Sequence, residues 1–517
     1  MSKNNWLAGP AMLSGIFGKK SDHPLADMKS AQALLNDLPK NDAHKMLMEL
    51  SEWIESVSDN TDFKLDHQFA VLLLLDETAQ PYARKLARDY FAPQELNKFQ
   101  ENRLWLVLGN LFHHTSKAYC AVFNRYCDGH KNAAAVKPHV PLLAARAVHS
   151  MTMRLKYICM HYGPIDKAIW ENLAHICRHA EQQQYLDKPL GLYSGIPGNT
   201  TVKHQIGHLL GWYGCGVDTL NPLCMHLTER IVAQYGSDIG MTAQQDGDSL
   251  FSFDLDRPAA PMRVKVGATV HPSTRFIGMA AMQPKLDALI KELKKNTVPE
   301  NLNLGGAYDA ELVREAAQFF MDYLSEPPLR RNMRRGIKVN LNVTNGFAKV
   351  IERTDVGLNF SDEQPAHWEI DDISVSGFFT VLPAQGADGL RIGSLLGIQP
   401  DGVPHWGVAV VRRMMRDDAN RLHVGVEMLA NQITGVALSQ SGGGSEEFEN
   451  GQPALWLHEK QGASSGETSL LMKTGAFSAH RSLLTQLDGK NYLLIPNGLQ
   501  ERGLDYELAK FRVITQE

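Results

Sequence analysis

The chain has 517 residues, more than a single hydrophobic core usually supports, so its length predicts about two to four domains. Its 52 basic and 57 acidic residues give a formal net charge of -5, which argues against a protein built mainly to coat nucleic acid. The longest plain apolar run, around Leu72–Leu75, is too short to span a bilayer, and the start lacks the pattern of a secretory signal, so we expect a cytoplasmic protein. Six cysteines without a C-x-x-C pair indicate reduced, mostly buried thiols.

The N-terminal region carries the residue spacing of amphipathic helices. Asp42 is a candidate N-cap, and the apolar residues that follow it recur at helical spacing: Met46, Leu50, Trp53, Ile54 and Val57. Further periodic stretches out to about Tyr235 predict a helical bundle or a helical-repeat arrangement. Short alternating stretches between Ser249 and Met279 predict a small β element after it.

One more helix is predicted before the pattern changes to strands. It ends at Pro327-Pro328, and its predicted apolar face consists of Leu312, Ala316, Phe319, Phe320 and Tyr323. Alternation then begins at Ile337, Asn345-Gly346 has the chemistry of a hairpin turn, and "FAKVIE" is predicted to return as a strand. Short strands separated by turn residues continue from there, which is typical of a small antiparallel barrel.

The predicted fold class is multidomain α+β: a mostly α-helical N-terminal region, an antiparallel β-barrel and a C-terminal β extension. The glycine-rich, acidic stretch "SGGGSEEFENG" is interpreted as a linker or loop within the β part. The predicted segments are a helical domain at 1–240, a mixed α/β segment at 241–328, a barrel at 329–432 and a C-terminal β module at 433–517.

Four arginines stand within six positions of the stretch "LRRNMRRGIKVNLN": Arg330, Arg331, Arg334 and Arg335. Clustered like charges can belong to a solvated linker, and charge alone does not decide between a linker and a binding site. A second motif favours a binding site. In "DDISVSGFF", the residues Asp372, Ser374 and Gly377 form D-x-S-x-x-G at the end of the next long strand candidate.

Together the two motifs resemble the PilZ family of cyclic di-GMP receptors, whose signature is R-x-x-x-R before a β-barrel followed by [D/N]-x-S-x-x-G. The resemblance covers about 329–429, a fifth of the chain. It implies a PilZ-like barrel, cyclic di-GMP as the ligand, and a site formed by the four arginines with Asp372, Ser374 and Gly377. Each motif alone is weak, whereas the ordered pair among strands is more specific.

The chemistry of these residue types suits the implied ligand. A guanidinium can donate two parallel hydrogen bonds to a phosphate or to guanine O6 and N7, and its flat face can stack on a purine. The carboxylate of Asp372 can accept from guanine N1–H and N2–H, and the hydroxyl of Ser374 can donate or accept. Gly377 allows a turn or a close approach that a Cβ would block.

Two features depart from the simple family pattern. The sequence "RRNMRR" satisfies R-x-x-x-R twice, as Arg330/Arg334 and as Arg331/Arg335, and we favour the second pair because Arg335 lies closest to the strand. The stretch "RTDVGLNFSDEQPAH" between the motifs is interpreted as an inserted loop, which would reduce affinity or admit another ligand if it covered the site.

Other candidate sites are weaker. His175 and His179 stand at i and i+4 with Glu171 one turn earlier, a geometry that could hold a metal, but helical histidines at this spacing are more often packing residues. Ser194 lies among glycines without the spacing of a nucleophile elbow. We found no motif that makes or degrades the dinucleotide, so we expect no enzyme and no metal or redox cofactor.

The sequence therefore predicts a bacterial-type signalling protein that binds cyclic di-GMP, changes its domain arrangement and signals to an unidentified protein partner. The first alternative is a PilZ-like scaffold that does not bind nucleotide and acts through protein contacts in motility or pilus function. The second is a single-stranded nucleic-acid binder, against which the acidic net charge counts. The oligomeric state is left open.

Overall fold

The computed structural model describes residues 23–92, 96–195, 198–265, 267, 270–325, 338–354, 364–370, 372–374, 376–383, 389–440, 451–458 and 466–516. The chain forms two compact units. The first, here called the helical unit, consists of Met1–Arg154, Asn172–Leu209 and Gly305–Ala307. The second, here called the β-rich unit, consists of Leu155–Glu171, Leu210–Leu304 and Tyr308–Glu517. The division into four domains stays a prediction.

Helices dominate the chain up to the middle of its length. In chain order they are α1 Met28–Asp37, α2 Ala43–Asp59, α3 Leu65–Tyr90, α4 Lys98–Cys127, α5 Ala133–Val136, α6 Val140–Met160, α7 Ala168–Gln182, α8 Val202–Gly214, α9 Pro222–Gln234, α10 Gln283–Leu293, α11 Ala310–Ser325 and α12 Phe347–Ile351.

The helical unit has its core between α2, α3 and α4. Asp42 caps α2 as expected, because its side chain accepts hydrogen bonds from the backbone of His44 and Lys45. The predicted apolar face of α2 is buried except for Trp53, which is half-buried. Helical spacing of apolar residues was therefore sufficient to locate this helix and its core-facing side.

A buried ion-pair network holds α3, α4 and α6 together. The Arg146 guanidinium donates to Asp76 Oδ2 at 2.8 Å and to Glu77 Oε1 at 2.6 Å, and Tyr119 donates to the same Asp76 oxygen at 2.7 Å. The guanidinium also lies 3.9 Å from the centre of the Tyr193 ring. Arg146 is 1% exposed and Asp76 is 2% exposed. Charges this deeply buried stabilise a fold only when paired, so this network fixes how the three helices pack.

The β-rich unit begins with helical segments and a four-stranded antiparallel sheet. The strands are β1 Gly240–Thr242, β2 Ser249–Asp254, β3 Met262–Arg263 and β4 Thr274–Gly278, in the order β1-β4-β2-β3. The predicted β element between Ser249 and Met279 is thus confirmed.

Helix α11 is present as predicted, but the predicted apolar face was wrong in part. Its buried residues are Ala310, Val313, Ala316, Ala317, Phe320 and Leu324. Leu312, Phe319 and Tyr323 are only half-buried. The packed face of α11 is centred on its buried alanines, and these three larger residues lie at its edges.

Seven further strands form one antiparallel sheet that curls upon itself. They are β5 Val339–Asn345, β6 Ala366–Ile370, β7 Asp372–Ser374, β8 Gly377–Leu382, β9 Leu395–Pro400, β10 Gly407–Arg416 and β11 Leu422–Ala430.

The order of these strands is β6-β5-β9-β10-β11-β8-β7. The two end strands, β6 and β7, are consecutive in the chain, since β7 begins two positions after β6 ends. The sheet therefore returns to its starting edge. Thr380 on β8 reinforces the return by donating its hydroxyl to the Glu369 carbonyl of β6 at 2.9 Å. This arrangement agrees with the predicted small antiparallel barrel.

The prediction that "FAKVIE" forms a hairpin strand was wrong. Residues Phe347–Ile351 form the short helix α12, and β5 pairs instead with β6 and β9. Gly346 has φ 102°, which directs the chain out of β5, and Asp505 accepts a hydrogen bond from the Phe347 backbone at 2.6 Å. Phe347, Val350 and Ile351 are all buried at i, i+3 and i+4, which is the spacing of a helix and not of a strand.

The C-terminal strands close a six-stranded barrel. They are β12 Ile433–Gln440, β13 Gln452–Leu457, β14 Glu467–Lys473, β15 Leu483–Leu487, β16 Lys490–Arg502 and β17 Tyr506–Gln516, and their order is β12-β13-β14-β17-β16-β15. One hydrophobic core continues from the curled sheet, through α12, into this barrel, and it contains Val410, Leu455 and Tyr506. The C-terminal extension is therefore packed against the curled sheet.

The predicted fold class is confirmed: a helical N-terminal region precedes antiparallel β-barrel structure and further C-terminal strands. All six cysteines are free, and four of them are buried. Among the described helices, none combines the length and apolar character needed to cross a bilayer.

Candidate functional site

The D-x-S-x-x-G motif lies on a tight hairpin of the curled sheet. Asp372 pairs with Phe379, and Ser374 pairs with Gly377, so a two-residue turn joins β7 to β8. The carbonyl of Ser376 in this turn accepts a hydrogen bond from the Met428 backbone of β11 at 2.9 Å. The motif therefore follows the backbone of an edge hairpin that is anchored to its neighbouring strand. The side chains of Asp372 and Ser374 lie outside the described part.

Gly377 occupies a position where no other residue fits. A Cβ added there would lie 2.0 Å from the Val426 carbonyl oxygen on β11, closer than any nonbonded contact allows. The sequence predicts a turn or a close approach to a base at this position. The close approach that the structure shows is between two strands of the protein itself, and it explains the glycine without any ligand.

The four arginines of the first motif fall outside the described residues. The described chain ends at Ser325 on one side and resumes at Lys338 on the other, next to β5. The segment with Arg330, Arg331, Arg334 and Arg335 thus connects α11 to the first strand of the curled sheet. The inserted stretch between the motifs is likewise mostly outside the described part.

A row of paired residues leads from the motif hairpin to another arginine. Asp372 pairs with Phe379, Phe379 with Gly425 on β11, and Gly425 with Arg413 on β10. Three steps between neighbouring strands correspond to about 14 Å. Gly425 has no side chain, and the Arg413 side chain is 62% exposed. Arg413 is hydrogen-bonded to Asp218, which follows α8 and belongs to the same unit.

The adjacent Arg412 has a different role. It donates to Glu427 at 2.7 Å and makes a two-point ion pair with Glu501 on β16, at 2.7 and 2.6 Å. Burial opposes the ionisation of Glu501, but the hydrogen bonds and the charge of Arg412 outweigh it and lower the Glu501 pKa. Arg412 is thus committed to fixing the barrel against the sheet.

The sequence prediction missed Arg412 and Arg413 as functional candidates, although both are visible in "VVRRMMRD". The bulge between Val411 and Arg413 breaks the regular alternation of the strand. Because of that bulge, a count of alternate positions does not tell which arginine is exposed.

A buried polar trio lies elsewhere in the β-rich unit. Lys156 donates to Glu229 at 2.5 Å and to His226 Nδ1 at 2.8 Å, and His226 Nε2 is 2.9 Å from the Leu304 carbonyl. This pattern assigns a neutral imidazole that accepts from Lys156 and donates to the carbonyl. Burial and the neighbouring Lys156 charge place the His226 pKa well below its usual value. These hydrogen bonds join α6, α9 and the Leu304 backbone, which is typical of a structural element.

The two histidines considered for a metal have other partners. His175 Nδ1 is 3.0 Å from Asn124 Oδ1, and His179 Nδ1 is 2.8 Å from the Tyr185 hydroxyl. Both rings pack edge-on against Phe123. Burial lowers the pKa of both imidazoles. Within the described residues there is no cluster of three or more His, Cys, Asp or Glu side chains that could hold a metal ion.

Comparison with known proteins adds evidence from the other half of the chain. Residues 29–244 match the family model described as the N-terminal domain of the cyclic-di-GMP receptor FimW. The chain is therefore similar to that receptor domain over this stretch. No curated protein and no solved structure matches the chain at a significant level.

The FimW-like region and the PilZ-like motifs occupy different stretches. The first ends at residue 244 and the second begins near 329. The family model does not name PilZ, so the two signals are separate. The FimW-like region includes Asp218, the partner of Arg413. An ion pair therefore links the part of this region that belongs to the β-rich unit to the curled sheet.

Proposed function

We propose that the chain is a cyclic di-GMP receptor that binds the dinucleotide at the motif hairpin of the curled sheet, with the arginines that precede β5. The observation that carries the proposal is the agreement of two separate signals: the family match over 29–244 and the ordered motif pair between 330 and 377. The expected protein is a receptor without catalytic activity that transmits the signal to a protein partner.

The proposed contacts follow from the chemistry of the ligand. Cyclic di-GMP carries two phosphates and two guanines. Arg331 and Arg335 would bind phosphate or a guanine edge through paired hydrogen bonds, and Asp372 would accept from the Watson–Crick edge of a guanine. The hairpin supports this role because its backbone is anchored at Ser376 and Gly377, so residues on it can be held in a fixed position.

Arg413 extends the proposed site. It is exposed, it lies in the same row of paired residues as Asp372, and its present partner is a carboxylate. An ion pair exposed to this degree contributes only about 0–1 kcal/mol, so a phosphate, which offers the guanidinium two acceptor oxygens, can compete with Asp218. If Arg413 bound a ligand phosphate in place of Asp218, the contact between the segment that contains Asp218 and the sheet would change. Such a differential contact is required for a ligand to shift an arrangement.

Isothermal titration of the full chain with cyclic di-GMP tests the proposal. We expect saturable binding by the wild type, strong loss in Arg331→Ala/Arg335→Ala, and unchanged binding in Arg257→Ala, a control whose side chain is 77% exposed and distant in sequence from both motifs. The double variant Arg330→Ala/Arg334→Ala decides the register. GTP serves as the ligand control.

The alternatives give different results in the same experiment. A folded wild type that releases no heat and shows no thermal shift with cyclic di-GMP would contradict the receptor proposal and favour the non-binding scaffold. Binding of arbitrary single-stranded oligonucleotides with a steep salt dependence would instead favour a nucleic-acid binder.

A further inference from the structure

A groove between α2 and α4 in the helical unit exposes an unusual amount of apolar surface. Its volume is about 690 Å³. Three large apolar side chains that line it are exposed to solvent: Met48 by 45%, Leu106 by 51% and Phe99 by 75%. Isolated exposed apolar residues are normal, but several gathered in one concave surface mark a binding surface.

Polar contacts close the groove at both ends. At one end Arg103 Nε donates to His44 Nε2 at 3.1 Å, and at the other His114 lies 3.4 Å from Glu55. The two contacts are eleven positions apart on each helix, from 44 to 55 on α2 and from 103 to 114 on α4. At the helical rise, the open length is about 16 Å, which is about three helical turns. The groove therefore fits a short segment of chain.

The rim formed by α2 is acidic. Glu52 and Glu55 line the groove, and both are exposed. The opposite rim on α4 carries the neutral amides Asn102 and Asn110. A segment that fits must be apolar on one side and basic near the end of the groove where Glu55 lies.

The first 22 residues of the chain have this composition. Their apolar residues include Met12, Leu13, Ile16 and Phe17. Met12 and Ile16 are four positions apart, as are Leu13 and Phe17, and this spacing is typical of one apolar side of a helix. Lys19-Lys20 follows after Gly18, and acidic residues are absent before Asp22. The apolar and the basic parts thus occur in the order that the groove requires.

The chain enters the described part next to the groove. His23 Nε2 is 2.5 Å from the Ser56 hydroxyl on α2, and Ser56 directly follows Glu55. Lys19 and Lys20 are therefore only four and three positions from this anchor, respectively. Six extended residues reach about 20 Å, so Phe17 can reach beyond the acidic rim to Met48. The remaining apolar residues would follow toward Phe99.

We propose that the N-terminal segment Met12–Lys20 of the same chain occupies the α2–α4 groove, with its apolar side chains on Met48, Leu106 and Phe99 and its lysines beside Glu52 and Glu55. This docking covers the exposed apolar surface and pairs the acidic rim. It does not depend on the proposed dinucleotide site.

Photo-cross-linking of the full chain tests the proposal. The photoreactive amino acid p-benzoylphenylalanine replaces Phe17 in one variant and, as a control, Met262 in another, where the native side chain is 68% exposed on β3. We expect the Phe17 variant to form cross-links within one chain to peptides that contain Met48 or Leu106, and the Met262 variant to form none there. Mixing of isotopically labelled and unlabelled chains separates links within one chain from links between chains.

A charge exchange sharpens the test. Lys19→Glu/Lys20→Glu should lower the yield of groove cross-links by about threefold or more, and adding Glu52→Lys/Glu55→Lys should restore it. Circular dichroism checks that each variant is folded. Cross-links from position 17 that lie outside the groove, or that join only different chains, would overturn the proposal. The same cross-link yield in all charge variants would also overturn it.

Discussion

Arg412 on the curled sheet and Glu501 on the closed barrel form a two-point ion pair, with distances of 2.7 and 2.6 Å. Tyr506 donates its hydroxyl to the same carboxylate at 2.6 Å. The pair lies beside the hydrophobic core that continues from the sheet into the barrel. The barrel is thus joined to the sheet both by apolar packing and by a contact with a fixed geometry.

Arg412→Ala should lower the free energy of unfolding by about 1–3 kcal/mol, because it leaves Glu501 and Glu427 without their charged donor. Arg412→Lys should recover only part of this, since an ammonium cannot make the two parallel hydrogen bonds. Chemical unfolding monitored by circular dichroism measures both. Arg421→Ala, whose side chain is 60% exposed, is the matched control and should change stability little. An equal loss in both alanine variants would contradict the assignment.

Gly377→Ala should destabilise the motif hairpin, because the added Cβ would meet the Val426 carbonyl oxygen at 2.0 Å and force β8 away from β11. Overpacking of this kind costs about 1–3 kcal/mol. Thermal unfolding and proteolysis near the hairpin measure the effect. Gly247→Ala is the control, since an added Cβ there has no neighbour within 4 Å. If Gly377→Ala unfolds like the wild type, the strand contact does not require glycine.

Arg146→Met should cost about 3–5 kcal/mol, because it leaves the buried Asp76 carboxylate without its cation. Asp76→Ala should be similarly damaging. The double variant should cost clearly less than the sum of the two single changes, because neither charge is then left unpaired. Unfolding free energies of the four proteins complete the cycle. Strict additivity would show that the pair is not coupled.

Stability should fall as the pH drops below about 6.5, in part because of His226. Its folded-state pKa lies well below the ordinary value, so the unfolded chain binds a proton that the folded chain does not, and acid favours unfolding. His226→Gln removes the titrating group while keeping a donor and an acceptor. We expect a smaller dependence of the unfolding free energy on pH between 7 and 5 in this variant, by up to about 1.4 kcal/mol per pH unit. An unchanged dependence would exclude His226 as a contributor.

Asp218→Asn should raise the affinity for cyclic di-GMP by up to about fivefold if Arg413 joins the site, because the carboxylate no longer competes with phosphate. Arg413→Ala should lower the affinity by a similar factor. Titration calorimetry measures both against the wild type. Wild-type affinity in both variants would remove Arg413 from the proposed site while leaving the two sequence motifs untouched.

The local spacing of side chains was sufficient to predict several elements of the structure. The cap at Asp42, the buried face of α2 and the β element after Ser249 follow from side-chain spacing, because a helix or strand needs one apolar side to bury. The same reasoning failed at "FAKVIE", where the helical spacing of Phe347, Val350 and Ile351 extends over only five residues and the backbone anchor is Asp505, more than 150 positions away. No local pattern reports such a partner.

By itself the sequence determined the class of fold, the positions of most helices and strands, and the pair of motifs that resembles a cyclic di-GMP site. Only the tertiary structure decided that the strands from Val339 to Ala430 curl back to their own edge, that the last six strands close a barrel, and that Arg413 meets Asp218. The reason is physical: periodicity records which side of an element is buried, whereas strand order and ion pairs depend on residues brought together from distant parts of the chain.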